Sequence, residues 1–171
     1  MPIVEAGFTP SVSIILPNGS AQNVTGRVCL ISKGPTIQVE VGFDAGFFQL
    51  DPAQRQAAIT AAHAAAPGPA LVEALIDTGA SDCCIDEGLA QQLQLPLIDQ
   101  QDGSGIGGRE KFNVYLGHIR IASLALIEYG RFMGVKLTAG GQSHKVLLGR
   151  TMMQAMILVY DGTTGAVKIA T

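Results

Sequence analysis

The sequence predicts a mainly β protein, and three features of its composition support this fold class. Twenty-one of the 171 residues are glycine, only 15% are charged, and β-branched residues are frequent. Such a composition favours short strands joined by tight turns. The net charge of −3, with no cluster of lysine or arginine, argues against a nucleic-acid partner.

The length and the lack of long apolar runs limit the possible organisation. Residues 1–171 are expected to form a single domain, since a chain of this size buries one core. There is no run of 18 apolar residues and no basic segment followed by an apolar one at the N-terminus. We therefore expect a cytoplasmic protein without a membrane segment. Three cysteines, Cys29, Cys83 and Cys84, suit neither a disulfide framework nor a metal site, so we expect packed thiols and no metal or cofactor.

The first half of the chain contains local signals for strands and one helix. Residues 11–31 predict two strands joined by a turn at Asn18-Gly19, because Asn-Gly readily adopts positive φ. Residues 36–43 alternate strictly between apolar and polar side chains, as a half-buried strand does. Residues 51–66 are rich in alanine, begin with Asp-Pro and stop before Pro-Gly-Pro, which predicts an inserted surface helix.

The second half continues the pattern of short strands. The mainly apolar segment at 70–76 leads to Asp77, and Asp86 is placed to cap a short helix. A second apolar run, at 146–149, precedes a helical turn near 152–155. The Asp-Gly pair at 161–162 predicts the final hairpin.

A glycine-rich segment at 103–108 satisfies the G-x-G-x-x-G pattern but not its structural context. A dinucleotide site requires these glycines to follow a strand and to open a helix that receives the pyrophosphate. Here an alternating strand follows the glycines. They instead indicate a hairpin with a flexible tip that could act as a lid over an extended ligand.

Three motifs together resemble a known family. Ala-Leu-Ile-Asp-Thr-Gly-Ala at 74–80, Ser-Gly-Ile-Gly-Gly at 104–108 and Val-Leu-Leu-Gly-Arg at 146–150 have the order and spacing of retropepsin-like aspartic proteases. Over residues 71–170 the chain is similar to the cellular and retrotransposon branch, which includes the DNA-damage-inducible proteins. The resemblance implies an acid-protease β-barrel with short helices and one lobe per chain. The insertion at 44–70 is longer than the family's usual hairpin.

The resemblance implies that Asp77 is the catalytic acid of an aspartic endopeptidase. This chemistry uses a water held between two aspartates that share one proton. The sequence holds a single Asp-Thr-Gly triplet, and no second domain remains to supply another. The second carboxylate is therefore expected from a second copy of the chain, in a homodimer that cuts an extended polypeptide.

The resemblance also assigns roles to neighbouring residues. Thr78 would form a hydrogen bond across the two-fold axis, and Gly79 would let the substrate backbone approach. Gly149 and Arg150 would pack behind the active-site loop. The implied substrate-binding residues are Ala80, Ser81, Asp82, Gly105, Ile106, Gly107 and Gly108.

Two positions depart from the family pattern. Ser81 stands where retroviral enzymes often carry an aspartate that pairs with the arginine of the closing motif, which leaves the partner of Arg150 open. Thr151 replaces the usual aspartate or asparagine after Gly-Arg, which is expected to weaken a local hydrogen-bond network.

Other interpretations of the same residues remain open. Taken alone, Asp77 fits an aspartate that caps a turn, and the glycine-rich segment fits an ordinary hairpin. A second hypothesis for function is a catalytically weak or inactive retropepsin-fold dimer that serves as a peptide-binding or oligomerisation module.

Overall fold

The structure, a computed structural model, describes residues 2–8, 11–44, 46, 67–105 and 108–171. Most of these residues are in β-strands, which confirms the predicted fold class. The strands are β1 Ile3–Glu5, β2 Ser11–Ile15, β3 Ala21–Thr25, β4 Thr36–Gly42, β5 Ala70–Ile76, β6 Cys84–Asp86, β7 Leu97–Gly105, β8 Gly108–Ile121, β9 Leu126–Val135, β10 Val146–Leu148, β11 Ile157–Asp161 and β12 Ala166–Ala170. The α-helices are α1 Gly26–Lys33, α2 Glu87–Gln92 and α3 Arg150–Met153, with a 3₁₀ turn at Ala122–Leu124.

Six of the strands close into a barrel. The strand order is β4, β5, β10, β6, β9, β8 and β7, and β4 also pairs with β8, so β7 alone lies outside the closed ring. The β5–β10 and β6–β9 pairs are parallel, whereas the other neighbours are antiparallel. Because β5 and β10 run in the same direction, their carboxyl ends meet at one end of the barrel.

The barrel interior is apolar because its strands alternate in the way the sequence predicts. On β4, Ile37, Val39 and Val41 are buried and Gln38 is exposed, while Phe43 packs against the core just beyond the strand. The alternation predicted for this strand is confirmed. Fully buried side chains on other barrel strands include Ile85, Ile119, Ile121, Val146 and Leu148.

A second, three-stranded sheet has the order β1, β12, β11. The β11–β12 hairpin turns through residues 161–162, as predicted. Its inner face packs on the barrel core, where Ile169 is 1% exposed. Its outer face exposes Ile3, Ile157 and Val159, and β1 and β11 form its two edges.

The N-terminal hairpin is confirmed, but the end of its second strand was predicted wrongly. β2 and β3 pair around a turn in which Gly19 has φ +80°, as an Asn-Gly turn requires. The second strand stops at Thr25, and the apolar run that follows forms α1. The Thr25 hydroxyl accepts the Val28 N–H at 3.5 Å and caps the helix, which buries Cys29 and Leu30. This cap and the burial on one helix face override the strand propensity of the run.

The later helices agree with the sequence patterns. Asp86 caps α2 by accepting the Leu89 N–H at 3.2 Å, and Leu89 and Leu93 are buried. The predicted helical turn is α3, which begins at Arg150, slightly earlier than expected. The helix predicted at 51–66 lies outside the described residues. None of the described helices is long and apolar enough to cross a membrane.

Candidate active site

Asp77 lies at the carboxyl end of β5, where the strand leaves the barrel. Its backbone N–H donates to the Leu148 carbonyl at 3.0 Å, which continues the β5–β10 pairing by one residue. Its carboxylate accepts the Gly79 N–H at 2.9 Å, and its carbonyl accepts the Ala80 N–H at 3.1 Å. The chain therefore folds into a tight turn around the carboxylate, which remains partly exposed.

The segment that follows β10 lies directly behind this turn. The Arg150 N–H donates to the Ala80 carbonyl, and the Thr151 N–H donates to the Ser81 carbonyl, each at 3.1 Å. These bonds join the two parts of the chain that follow the parallel strands β5 and β10. Residues 77–83, called the active-site loop below, are therefore held by backbone hydrogen bonds at Asp77, Ala80 and Ser81.

The side chain of Arg150 also binds the loop. Its guanidinium donates to the Thr78 carbonyl at 2.8 Å and to the Ser81 hydroxyl at 2.9 Å. Ser81 thus provides a neutral partner at the position where the retropepsin resemblance predicted an aspartate. This answers the question that the sequence left open about the partner of Arg150.

Two buried cysteines end the loop. Burial, together with the nearby charge of Glu128, raises the pKa of the Cys83 thiol to about 12. Burial also raises the pKa of Cys84 to about 11, with smaller contributions from the charges of Asp82 and Asp77. Cys83, Cys84 and Cys29 are buried and form no disulfide with one another, in agreement with the expectation of packed thiols.

Asp77 lines a cavity of about 590 Å³. The active-site loop forms one wall through Asp77, Gly79, Ala80, Ser81 and Asp82. The other walls are mainly apolar and come from the five strands β6 to β10. They consist of Cys84, Gly103, Phe112, Met133, Val135 and Leu147. A carboxylate beside an apolar cavity of this size is suited to chemistry on an organic ligand.

The predicted lid is the hairpin of β7 and β8. Its strands remain paired up to Gly105 and Gly108, and Gly108 has φ +101°, which favours glycine. Ile106 and Gly107, predicted at the lid tip, lie outside the described residues. Two residues before the tip of the hairpin, Gly103 faces the Phe112 ring so closely that a Cβ would come within 2.8 Å of it.

The structure brings five of the predicted site residues onto one cavity wall and places three beside it. Thr78, Gly149 and Arg150 adjoin the loop without lining the cavity. Sequence reasoning did not identify the apolar walls. Phe112 was visible as part of an alternating strand, but nothing local in the sequence indicated that Met133 and Val135 would face Asp77. Their placement follows from the pairing of β9 with β6.

Among the residues that the structure describes, no group of three or more His, Cys, Asp or Glu side chains is arranged to hold a metal ion. The lining of the cavity consists of the carboxylates of Asp77 and Asp82, the loop backbone and the apolar walls.

Comparison with protein families gives a match that coincides with this site. Residues 68–155 match the family described as "gag-polyprotein putative aspartyl protease", and they cover more than half of the chain. The matched region begins just before β5 and ends just after α3, so it includes Asp77, the lid hairpin and Arg150. No curated protein matches the chain. The chain therefore belongs to this family of retroviral-type, retropepsin-like aspartyl proteases.

Proposed function

We propose that the protein is an aspartic endopeptidase that acts as a homodimer, with Asp77 from each copy in one shared site. The observation that carries the proposal is the position of Asp77 at the end of β5, in a loop held by the Gly-Arg motif and open to an apolar cavity.

The need for a second copy follows from the chemistry. Hydrolysis by aspartates requires two carboxylates about 3 Å apart, which cannot both ionise and so share a proton. The sequence contains one Asp-Thr-Gly triplet. A two-fold axis beside Asp77 would bring the second carboxylate into place without any further catalytic residue.

In this arrangement the two copies of Asp77 divide the acid and base roles. The ionised carboxylate takes a proton from the bound water as its oxygen attacks the peptide carbonyl carbon. The protonated carboxyl donates to the developing oxyanion. As the C–N bond breaks, the carboxyl that took the proton of the water donates it to the leaving nitrogen. The other carboxylate takes a proton back from the hydroxyl of the tetrahedral intermediate, which restores the shared-proton pair.

The proposed substrate is an extended polypeptide that lies between the lid hairpin and the active-site loop. Backbone groups of an extended chain would pair with the exposed loop and hairpin edges, as in strand addition. The walls formed by Phe112, Met133 and Val135 favour apolar side chains next to the scissile bond. Ala80, Ser81 and Asp82 are proposed to contact the peptide main chain.

The three-stranded sheet is the proposed site of dimer contact. Ile3 and Ile157 are 60% and 58% exposed and lie on either side of Ala170 in the register, and Val159 is 57% exposed on the same face. This face also carries the ion pair of Lys168 with Glu5, and among the described residues β1 and β11 have no second strand neighbour. A second copy would cover these apolar side chains and strand edges.

The test compares the wild type with Asp77→Asn in the cleavage of an unfolded protein across pH ~3 to 7, because hydrolysis by an aspartate pair requires one protonated and one ionised carboxyl. We expect cleavage by the wild type and none by the variant, with dimerisation unchanged. Asp44→Asn serves as the matched control, because Asp44 is exposed and does not line the cavity.

Equal cleavage by wild type and Asp77→Asn would remove the catalytic assignment. A wild-type dimer that binds extended peptides but leaves them uncut at every pH would support the alternative, a peptide-binding or oligomerisation module.

A further inference from the structure

The thiol of Cys83 is the centre of a buried hydrogen-bond network next to the active-site loop. Its sulfur accepts the Gly149 N–H at 3.3 Å and lies 3.8 Å from the Thr151 hydroxyl, which also donates to it. The Cys83 S–H donates to the carboxylate of Glu128 at 3.3 Å. Cys83 is 1% exposed and its hydrogen bond from Gly149 is buried, whereas Glu128 and Thr151 are partly exposed.

This network completes the attachment of the loop. Asp77, at the start of the loop, is bound to Leu148 through its backbone N–H. Cys83, at the end of the loop, receives the N–H of Gly149, the next residue along the same segment. The loop that carries the carboxylate is therefore fastened at both ends to two consecutive residues.

The Gly149 N–H is buried, so it requires a hydrogen-bond acceptor within the protein. A Cβ on Gly149 would lie 2.4 Å from the backbone carbon and oxygen of Asp82, so the two backbones are in direct contact and exclude water. A buried N–H without an acceptor costs about 1–3 kcal/mol. The sulfur of Cys83 is the acceptor that the structure provides.

The network also reaches β9, through a residue that does not itself line the cavity. Glu128 belongs to β9, the strand that carries the wall residues Met133 and Val135. A protonated thiol can donate to Glu128 while its lone pairs accept from the other two groups. The raised pKa of Cys83 keeps the thiol protonated throughout the acidic and neutral range.

We propose that Cys83 is a positioning residue for Asp77, whose thiol joins the loop, the Gly-Arg segment and β9 through Gly149, Thr151 and Glu128. This role rests on the proposed protease function. In the family pattern an aspartate or asparagine follows Gly-Arg and helps to fix the active-site loop. In this chain, the Cys83 thiol and the Thr151 hydroxyl would fix the loop instead.

The test uses Cys83→Thr and Cys83→Val, which have nearly the same shape and differ in one hydroxyl. The measurements are kcat and KM for a peptide taken from the cleavage products of an unfolded protein, and amide hydrogen exchange at Gly149. We expect Cys83→Thr to keep both near wild type. We expect Cys83→Val to lower kcat at least ~10-fold, since small displacements of a reacting group are costly, with KM within about twofold. Its Gly149 amide should exchange faster.

The buried Cys29 provides a matched control, because it lies in α1 and outside the site. Cys29→Thr and Cys29→Val should share the same kcat. If Cys83→Thr and Cys83→Val give equal kcat and equal Gly149 exchange, Cys83 only fills space and the proposal is wrong.

A second pair keeps the test decisive if Cys83→Val does not fold. Glu128 is partly exposed, so its replacement is tolerated more easily. Glu128→Gln keeps an oxygen acceptor for the thiol and should behave as wild type, whereas Glu128→Leu should lower kcat and speed Gly149 exchange. Equal behaviour of these two variants contradicts the proposal. Absence of cleavage by the wild type would reject the protease function, while the exchange data would still report on the network.

Discussion

Asp86 is a buried carboxylate whose role is structural. It is 3% exposed, and its two oxygens accept the Leu89 N–H at 3.2 Å and the Thr138 N–H at 2.8 Å. Burial by itself would raise the pKa of Asp86. The hydrogen bonds from Thr138 and Leu89, with the charge of Lys145, outweigh burial and lower the pKa below its ordinary value of 3.8. The ionised carboxylate thus ties α2 to the loop that precedes β10.

Asp86→Asn is expected to destabilise the fold by about 1–3 kcal/mol at pH 7, because an amide cannot accept both N–H groups. A lowered pKa in the folded state means that the stabilisation is present above pH ~4 and is lost as the pH falls through the folded value. Urea unfolding at pH 7 and at pH 3 should show the difference from wild type shrinking at the lower pH. Asp102→Asn, at an exposed site on β7, is the control and should change little. A difference that grows on acidification would contradict this prediction.

At the level of elements, the connection between β10 and α3 determines how the active-site loop is held. Gly149 ends the strand pairing, and the next two residues donate to the Ala80 and Ser81 carbonyls. These hydrogen bonds can form because the backbone of the loop directly contacts the backbone of the segment after β10, which leaves no room for a side chain at Gly149.

Gly149→Ala is therefore expected to separate the two segments. The added methyl would lie 2.4 Å from Asp82 backbone atoms, which cannot rotate away as a side chain can. We expect a loss of roughly 1–3 kcal/mol in unfolding free energy and a strong loss of cleavage. Gly68→Ala is the matched control, because a Cβ there has no neighbour within 4 Å. Differential scanning calorimetry and the cleavage assay measure both effects, and a wild-type Tm and activity for Gly149→Ala would refute this account.

At the scale of the whole molecule, the barrel supplies one carboxylate and half of the proposed site. Closure of six strands into a barrel fixes the parallel pairing and register of β5 and β10. The three-stranded sheet packs on the outside of this core. We propose the face that exposes Ile3, Ile157 and Val159 as the contact with a second copy.

We expect light scattering to give a mass of twice the 17.8 kDa of one chain, falling to one chain on dilution. Val159→Lys should shift this equilibrium toward the monomer without unfolding the chain, because the side chain is already exposed in one copy. Leu71→Lys, which changes an exposed apolar side chain outside that sheet, is the control. A monomer at every concentration, or cleavage activity that survives full dissociation, would overturn the dimer.

Local patterns predicted much of the fold because they depend on neighbours in the chain. The alternation on β4, the Asp86 cap and the Asp-Gly turn each arise within a few residues, and the structure contains all three. The start of α1 was missed because the apolar run after Thr25 is compatible with either a strand or a buried helix face. Burial of Leu30 against the rest of the chain selects the helix.

The motif around Asp77 and its order relative to the lid and Gly-Arg segments are properties of the sequence, and they suffice to indicate the family. The partners of Arg150 and Cys83, and the apolar walls opposite Asp77, exist only in the folded chain. Cys83 and Gly149 are 66 positions apart and meet because β5 and β10 are parallel neighbours in a closed barrel. Strand order and register are set by the packing of the whole core, and for that reason no local pattern could have specified these contacts.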